Sequence, residues 1–330
     1  MRAVRRATAI ALLAAATWGQ TSAQPPAELV VEQQPFVVYS AFWPNLHHVL
    51  YSEAWRQRPN GGRSLAAFLP EPLGAEQLSA AEQQAWAAAI AYYDREVADQ
   101  TLLFDLSSAR HALLAAGGEL PEFGLAPEHR RVLAAAAPVY EKHWWRAHDR
   151  ANREWAAALL PRVADLSPDV VDRLQKLYGT PWFDERVRVD VVRVSSSQGA
   201  YTDLDPEPAH ITVSSSDPNE QGWAAVEIMF HESSHALIRP ISAALQAELA
   251  ARGKRSNDLW HVVLFYISGE VVREALASRG VDYEPYLYRT GLFDRAWPRL
   301  KEPVERHWPT YVNGDARLED VVRKTVADLQ

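Results

Sequence analysis

Residues 220–240 read EQGWAAVEIMFHESSHALIRP, and this stretch decides how the chain is interpreted. No proline interrupts it before Pro240, and most residues beside the histidines are uncharged, so it predicts a buried helix that ends at Pro240. Positions four residues apart in a helix lie on one face. His231 and His235 are therefore predicted to point the same way, where they could bind one metal ion.

The spacing of this motif suits a zinc site. Two imidazoles can bind a tetrahedral zinc ion, and Glu232, one residue after the first histidine, can reach a water on the metal. Zinc lowers the pKa of such a water toward about 7, and a carboxylate can then accept its proton as the water attacks. Glu227, one turn before His231, could accept the proton of the second ring nitrogen, or could be an ordinary solvated glutamate.

A zinc site needs a third protein ligand, and the next helix downstream offers Glu270. Residues 256–258 can cap a helix that runs to Ser278, and its body is strongly apolar. A carboxylate inside an apolar helix is costly unless it is paired or bound to metal. We therefore expect Glu270 to be the third ligand, with Gly269 allowing a close approach. Glu274, one turn later, could support it, although a solvated side chain is the simpler interpretation.

His261 is the rival third ligand. It precedes Glu270 by nine residues, which is about 180° around a helix at 100° per residue, so the two side chains cannot easily face one metal. We expect His261 to be a hydrogen-bonded histidine near the beginning of its helix.

His231, Glu232, His235 and the later Glu270 make residues 187–278 resemble the zincin metallopeptidases, and within them the gluzincin, or thermolysin-like, branch. The resemblance implies zinc as cofactor, His231, His235 and Glu270 as its ligands, and Glu232 as general base. It also implies that the strand before the motif helix, residues 209–215, pairs with an extended peptide substrate. The metzincin branch is disfavoured, because Ile238 and Ile241 stand where it needs glycine and a third histidine.

Gluzincins often add a tyrosine or histidine that stabilises the oxyanion. The downstream candidates are Tyr283, Tyr286, Tyr288 and His307, and the sequence does not choose between them.

The pattern of apolar residues along the rest of the chain predicts an α+β fold that is mainly helical, with a small mixed or antiparallel β-sheet, as in zincins. Alternating or β-branched stretches predict strands at residues 36–43, 187–191 and 209–215. Helical periodicity and proline positions predict helices at residues 79–96, 127–160, 167–177, 297–308 and 318–329.

The first 23 residues have the pattern of a secretory signal peptide: a basic start, a short apolar run, and small residues before a cleavage site after Ala23. We expect a bacterial protein exported to the periplasm or beyond, with no lasting membrane anchor. The mature chain is expected to have a mainly helical N-terminal lobe, residues 24–180, and a zincin-like catalytic lobe, residues 181–330, or to form one domain.

Charge and cysteine content exclude several classes of protein. The net charge of −8 disfavours a nucleic-acid partner, which would require a basic surface. The absence of cysteine excludes disulfides, thiolate metal sites and a cysteine nucleophile.

The leading hypothesis is therefore an exported zinc-dependent hydrolase, a peptidase acting on peptide or protein substrates with Glu232 as base. One alternative is a non-catalytic zinc-binding or interaction protein on a zincin-like scaffold. Another is a helical exported protein in which the motif is accidental and the histidines belong to the core. The sequence does not indicate the oligomeric state.

Overall fold

The computed structural model describes residues 29–58, 78–116, 119–195, 199–204 and 209–329. The predicted signal peptide, residues 1–23, lies outside the described residues. Within the described residues, no helix is both long enough and apolar enough to cross a membrane.

The fold is mainly helical with one small mixed sheet, which confirms the expected α+β class. The strands are β1 (Leu29–Gln33), β2 (Phe36–Tyr39), β3 (Val187–Val192), β4 (Ala200–Asp203) and β5 (His210–Ser214). The helices are α1 (Phe42–Gln57), α2 (Ala80–Tyr92), α3 (Ser107–Leu114), α4 (Pro127–Tyr140), α5 (Arg146–Tyr178), α6 (Gly222–Ser234), α7 (Arg239–Ala251), α8 (Leu259–Ala277), α9 (Tyr286–Arg289), α10 (Leu292–Ala296), α11 (Pro298–Val312) and α12 (Leu318–Asp328). Short π-helical turns, Tyr93–Val97 and Glu141–Trp145, follow α2 and α4.

The five strands lie in the order β1-β2-β3-β5-β4. The three inner strands are parallel to each other, and β1 and β4 pair antiparallel with their neighbours at the two edges. Val189 pairs with Val38 on one side and with Ile211 on the other, and all three are almost fully buried. The parallel centre is thus covered on its faces, as parallel strands require.

Two buried hydrophobic clusters stabilise the fold. The larger one packs β2, β3 and β5 against α5 to α12, so it combines residues from before and after position 180. The smaller one lies among α1, α2 and α4 and includes Tyr201 of β4. β4, an edge strand of the sheet, therefore contributes to both hydrophobic clusters.

Proline positions explain where the elements differ from expectation. The strand predicted over 36–43 ends at Tyr39, and Pro44 lies in the first turn of α1, where a missing N–H costs nothing. Likewise, Pro240 does not simply end the motif helix; it lies in the first turn of α7. Pro161 and Pro168 lie inside the single helix α5, on its exposed face, where water can reach the freed carbonyls.

Candidate metal centre

Three histidines from two packed helices converge in the larger core. His231 and His235 come from the end of α6, and His261 comes from the first turns of α8. One ring nitrogen of each lies within 4.8 Å of the others. In a tetrahedral zinc site with Zn–N distances of about 2.1 Å, the nitrogens are about 3.4 Å apart. Small side-chain rotations would therefore close the three rings around one ion.

The chemistry of the three rings fits a metal. His231 is fully buried, and its Nε2 has no hydrogen-bond partner, although a buried polar nitrogen is normally satisfied. Burial lowers the pKa of His231 well below its usual range, that of His235 to about 3 and that of His261 to about 4. The imidazoles are therefore neutral near pH 7, which is the form that binds metal.

Aromatic rings hold the histidines in place. Phe265 stacks on His231 with ring centroids 3.6 Å apart. Trp260 stacks on His261 at 5.1 Å, and Trp297 meets His261 edge-on at 5.5 Å. This apolar surround explains why the rings are desolvated, and it limits the rotamers that each ring can adopt.

The Glu232 carboxylate lies beside the histidine cluster. Its Oε2 is 3.7 Å from His235 Nε2, and it accepts a hydrogen bond of 2.5 Å from the Thr202 hydroxyl. Burial raises the pKa of Glu232 to about 7, while the Thr202 hydrogen bond opposes that rise. A carboxyl with this pKa can both accept and return a proton near neutral pH.

The structure does not bring Glu270 to the three histidines. Its carboxylate pairs with Arg273, one turn along the same helix, at 2.6 Å. Phe265 and Ser268, which contact His231, lie four and seven residues after His261 and share its face of α8. Glu270 lies on the opposite face of α8, so His261, and not Glu270, faces His231 and His235. The structure therefore groups His231 and His235 with His261 as side chains that could hold a metal ion, and not with the expected Glu270.

Glu227 does not orient His231 as the sequence suggested. The second ring nitrogen of His231, Nδ1, instead lies 3.5 Å from Ser268 Oγ, a long contact. Glu227 is fully buried, and it accepts hydrogen bonds from the Tyr283 hydroxyl at 2.6 Å and from the Tyr286 amide at 2.9 Å. It therefore ties α6 to the segment that follows α8.

The four candidates for oxyanion stabilisation lie in different places. Tyr286 stacks on Phe265 at 6.0 Å, so it borders the histidine cluster. Tyr283 is engaged by Glu227, and Tyr288 packs against Phe293. His307 pairs with Asp328 at 2.8 Å. Of the four, Tyr286 is the one whose ring packs next to the centre.

The strand expected to pair with substrate is β5, and the sheet topology contradicts this expectation. β5 is hydrogen-bonded to β3 on one side and to β4 on the other, so it has no free edge. β4 is the edge strand on this side of the sheet, and its Thr202 contacts Glu232.

The sequence does not assign Thr202 or His261 to the candidate site. Thr202 lies in a short strand that carries no strong strand pattern, and only the tertiary fold brings it to Glu232. For His261, the helix-face argument leaves two residues of α8 to choose from, and the sequence favours Glu270. The signal that could have reversed this choice is Arg273, because an arginine three residues after Glu270 can satisfy that carboxylate within the helix.

No protein-family model, no curated protein and no solved structure matches this chain. The likeness to zincins therefore rests on the motif residues themselves.

Proposed function

We propose that the protein is a zinc-dependent hydrolase that cleaves peptide bonds, with His231, His235 and His261 as metal ligands and Glu232 as general base. The observation that carries this proposal is the convergence of three neutral imidazoles, within 4.8 Å of one another, beside the Glu232 carboxylate. Three histidines with an open fourth position are an established ligand set for catalytic zinc.

A bound zinc ion would polarise the substrate carbonyl and lower the pKa of a coordinated water. Glu232 would take a proton from the attacking water and deliver it to the leaving amine. Thr202 would hold the Glu232 carboxylate in place, and the β4 edge borders the same carboxylate, where an extended chain could align. Tyr286 is the nearest of the candidates for stabilising the oxyanion.

The first experiment is the metal content of the chain, purified without chelator and without a histidine tag. We expect about one zinc per chain, and we expect replacement of His261 with alanine to abolish it. Absence of zinc, even after zinc is added back, would reduce the motif to a coincidence among buried histidines.

A second experiment separates an enzyme from a binding protein. Glu232→Gln should keep the zinc and lose hydrolysis of a mixed peptide library. If the native protein holds zinc but cleaves no peptide, the non-catalytic zinc-binding alternative replaces the peptidase. Export after cleavage near Ala23 is part of the same proposal, and the N-terminal sequence of the secreted protein tests it.

A further inference from the structure

Two buried carboxylates outside the histidine cluster converge beside Gly199. Asp217 and Glu220 lie just before α6, and their side chains are 1% and 0% exposed. Asp217 Oδ2 and Glu220 Oε1 both lie within 2.6 Å of the position that a Cβ would occupy at Gly199. Gly199 has a φ of +76°, so glycine is favoured there for its backbone as well. A side chain at position 199 would therefore clash with both carboxylates, which pack directly against the glycine.

Among the described residues, neither carboxylate oxygen of Glu220 has a hydrogen-bond partner, and no ion pair joins Glu220 or Asp217. The Ser214 backbone lies near enough to favour the ionised form of Glu220. Asp217 Oδ1 accepts the Asn219 backbone amide at 2.8 Å, and the Asn219 side chain also hydrogen-bonds this carboxylate. The guanidinium of Arg289 acts on Asp217 from a distance while it donates to the Asn219 carbonyl.

Two buried carboxylates that form no ion pair are unfavourable. Burial, together with the charges of Asp217 and Glu232, raises the pKa of Glu220 well above its usual range, and burial also raises that of Asp217. Either a proton shared between the two groups or a bound cation would relieve the repulsion. A shared proton needs no space and would leave Glu220 Oε2 without a partner. A cation between the two carboxylates would use the unpartnered oxygens of Glu220 and neutralise both groups.

We propose that Asp217 and Glu220 bind a hard divalent cation, calcium, between their carboxylates beside Gly199. The two carboxylates offer only oxygen ligands, which calcium prefers, with water completing its coordination. Both carboxylates precede α6, and Gly199 precedes β4 and its carbonyl accepts the Ser214 amide of β5 at 3.0 Å, so the cation would lie where the beginning of α6 meets the sheet. This second site is independent of the proposed peptidase activity.

The test uses the full chain after removal of metals with a chelator. Calcium at about 100 times its Kd is expected to raise the melting temperature by roughly 5–10 °C. Terbium, a luminescent substitute for calcium, should bind at the same place and be displaced by calcium. Its emission should be sensitised through Trp155, whose indole N–H donates to the Glu220 carbonyl at 2.8 Å.

Matched variants locate the site. Glu220→Gln and Asp217→Asn keep the side-chain shapes and should each abolish the calcium-induced shift and the calcium-displaceable emission. Glu248→Gln, a change in a carboxylate that pairs with Arg252 on α7, should keep both responses. The double variant His231→Ala, His235→Ala should also keep both responses, which separates this site from the histidine cluster.

The shared-proton alternative gives the opposite pattern. In that case calcium would not change the melting temperature of the unsubstituted protein, and Glu220→Gln would be neutral or stabilising. The proposal would be overturned if the unsubstituted protein showed no calcium response, or if that response survived Glu220→Gln. The measurement on the unsubstituted protein decides the question even if a variant fails to fold.

Discussion

His261 and Glu270 lie nine residues apart on α8, and only His261 faces the two histidines of α6. We expect His261→Ala to weaken zinc binding by more than about 100-fold, beyond what outer partners of a metal site contribute. Glu270→Gln should leave zinc binding almost unchanged, because that carboxylate already pairs with Arg273. Zinc titration against a chromophoric chelator measures both. If the Glu270 variant lost zinc and the His261 variant kept it, the result would support the ligand set expected from the sequence.

Thr202 is a positioning residue, since it acts through Glu232. Thr202→Val removes the hydroxyl that supports the ionised carboxylate, so the pKa of Glu232 should rise and less of it should be ionised near pH 7. We expect peptide hydrolysis near pH 7 to fall about 10-fold and the acid limb of the rate profile to move to higher pH. Thr202→Ser should restore both, and zinc content should not change. An unmoved acid limb would show that the hydroxyl only fills space.

The sequence identifies the residues of the site better than it identifies their partners. His231, Glu232 and His235 are fixed by local spacing, which a helix converts directly into a shared face. Thr202 is 30 residues from Glu232, and no local rule connects them. Which face of α8 meets His231 and His235 depends on how α8 packs against α6, and no local pattern specifies that packing.

At the scale of elements, α6 and α8 approach closely at Gly269. A Cβ there would lie 2.9 Å from Pro285 Cβ and 3.0 Å from Glu227 Oε1. In a helix with free space, Gly→Ala would stabilise the protein by about 1 kcal/mol. Here we expect Gly269→Ala to destabilise it by about 1–3 kcal/mol, because the proline ring cannot move easily.

Urea unfolding measures the effect at Gly269, and Ala277→Gly calibrates it. Ala277 is exposed on the same helix, so that change reports helix propensity without packing and should cost at most about 1 kcal/mol. A Gly269→Ala protein that is more stable than the unsubstituted one would mean that the contact between the helices is looser than the structure indicates.

Helix boundaries can be predicted where hydrophobic periodicity and capping residues are the main signals. They are harder to predict where the sequence contains proline. The helix at Ala80–Tyr92 begins at a capping box formed by Ser79 and Glu82, a signal readable from sequence. α5 continues through Pro161 and Pro168 because Val163 and Val170 are fully buried on its other face. Packing outweighs the lost hydrogen bonds, and a single sequence does not reveal that balance.

At the scale of the whole molecule, β4 connects the two hydrophobic cores. Thr202 faces Glu232, while the Tyr201 hydroxyl contacts His48 Nε2 at 2.7 Å in the smaller core. Successive residues of a strand point to opposite faces of the sheet, so β4 can direct Thr202 toward Glu232 and Tyr201 toward the smaller core. The sequence predicts the strand that becomes β2 but not its pairing with β3, because long-range parallel pairing leaves no local signal.

Four buried histidines lie in or beside the smaller core, and burial lowers the pKa of each, which predicts acid sensitivity: His47, His48, His129 and His148. Burial lowers the pKa of His129 from 6.5 to about 4, and its Nε2 is 2.9 Å from the Tyr93 hydroxyl. Below pH 6.5 the unfolded chain binds the proton that the folded chain excludes. The stabilisation is therefore complete above pH 6.5 and is lost as the pH falls to about 4, at a cost of up to about 3 kcal/mol for this histidine.

His129→Gln tests this acid sensitivity, because glutamine keeps a polar group near the position of Nε2 but does not titrate. We expect urea midpoints, measured with chelator present, to fall less steeply with pH in the variant than in the unsubstituted protein between pH 6.5 and about 4. Histidines of the metal centre titrate in both proteins, so their contribution cancels in the difference. Parallel curves for the two proteins would mean that His129 is solvated, and that acid sensitivity arises elsewhere in the molecule.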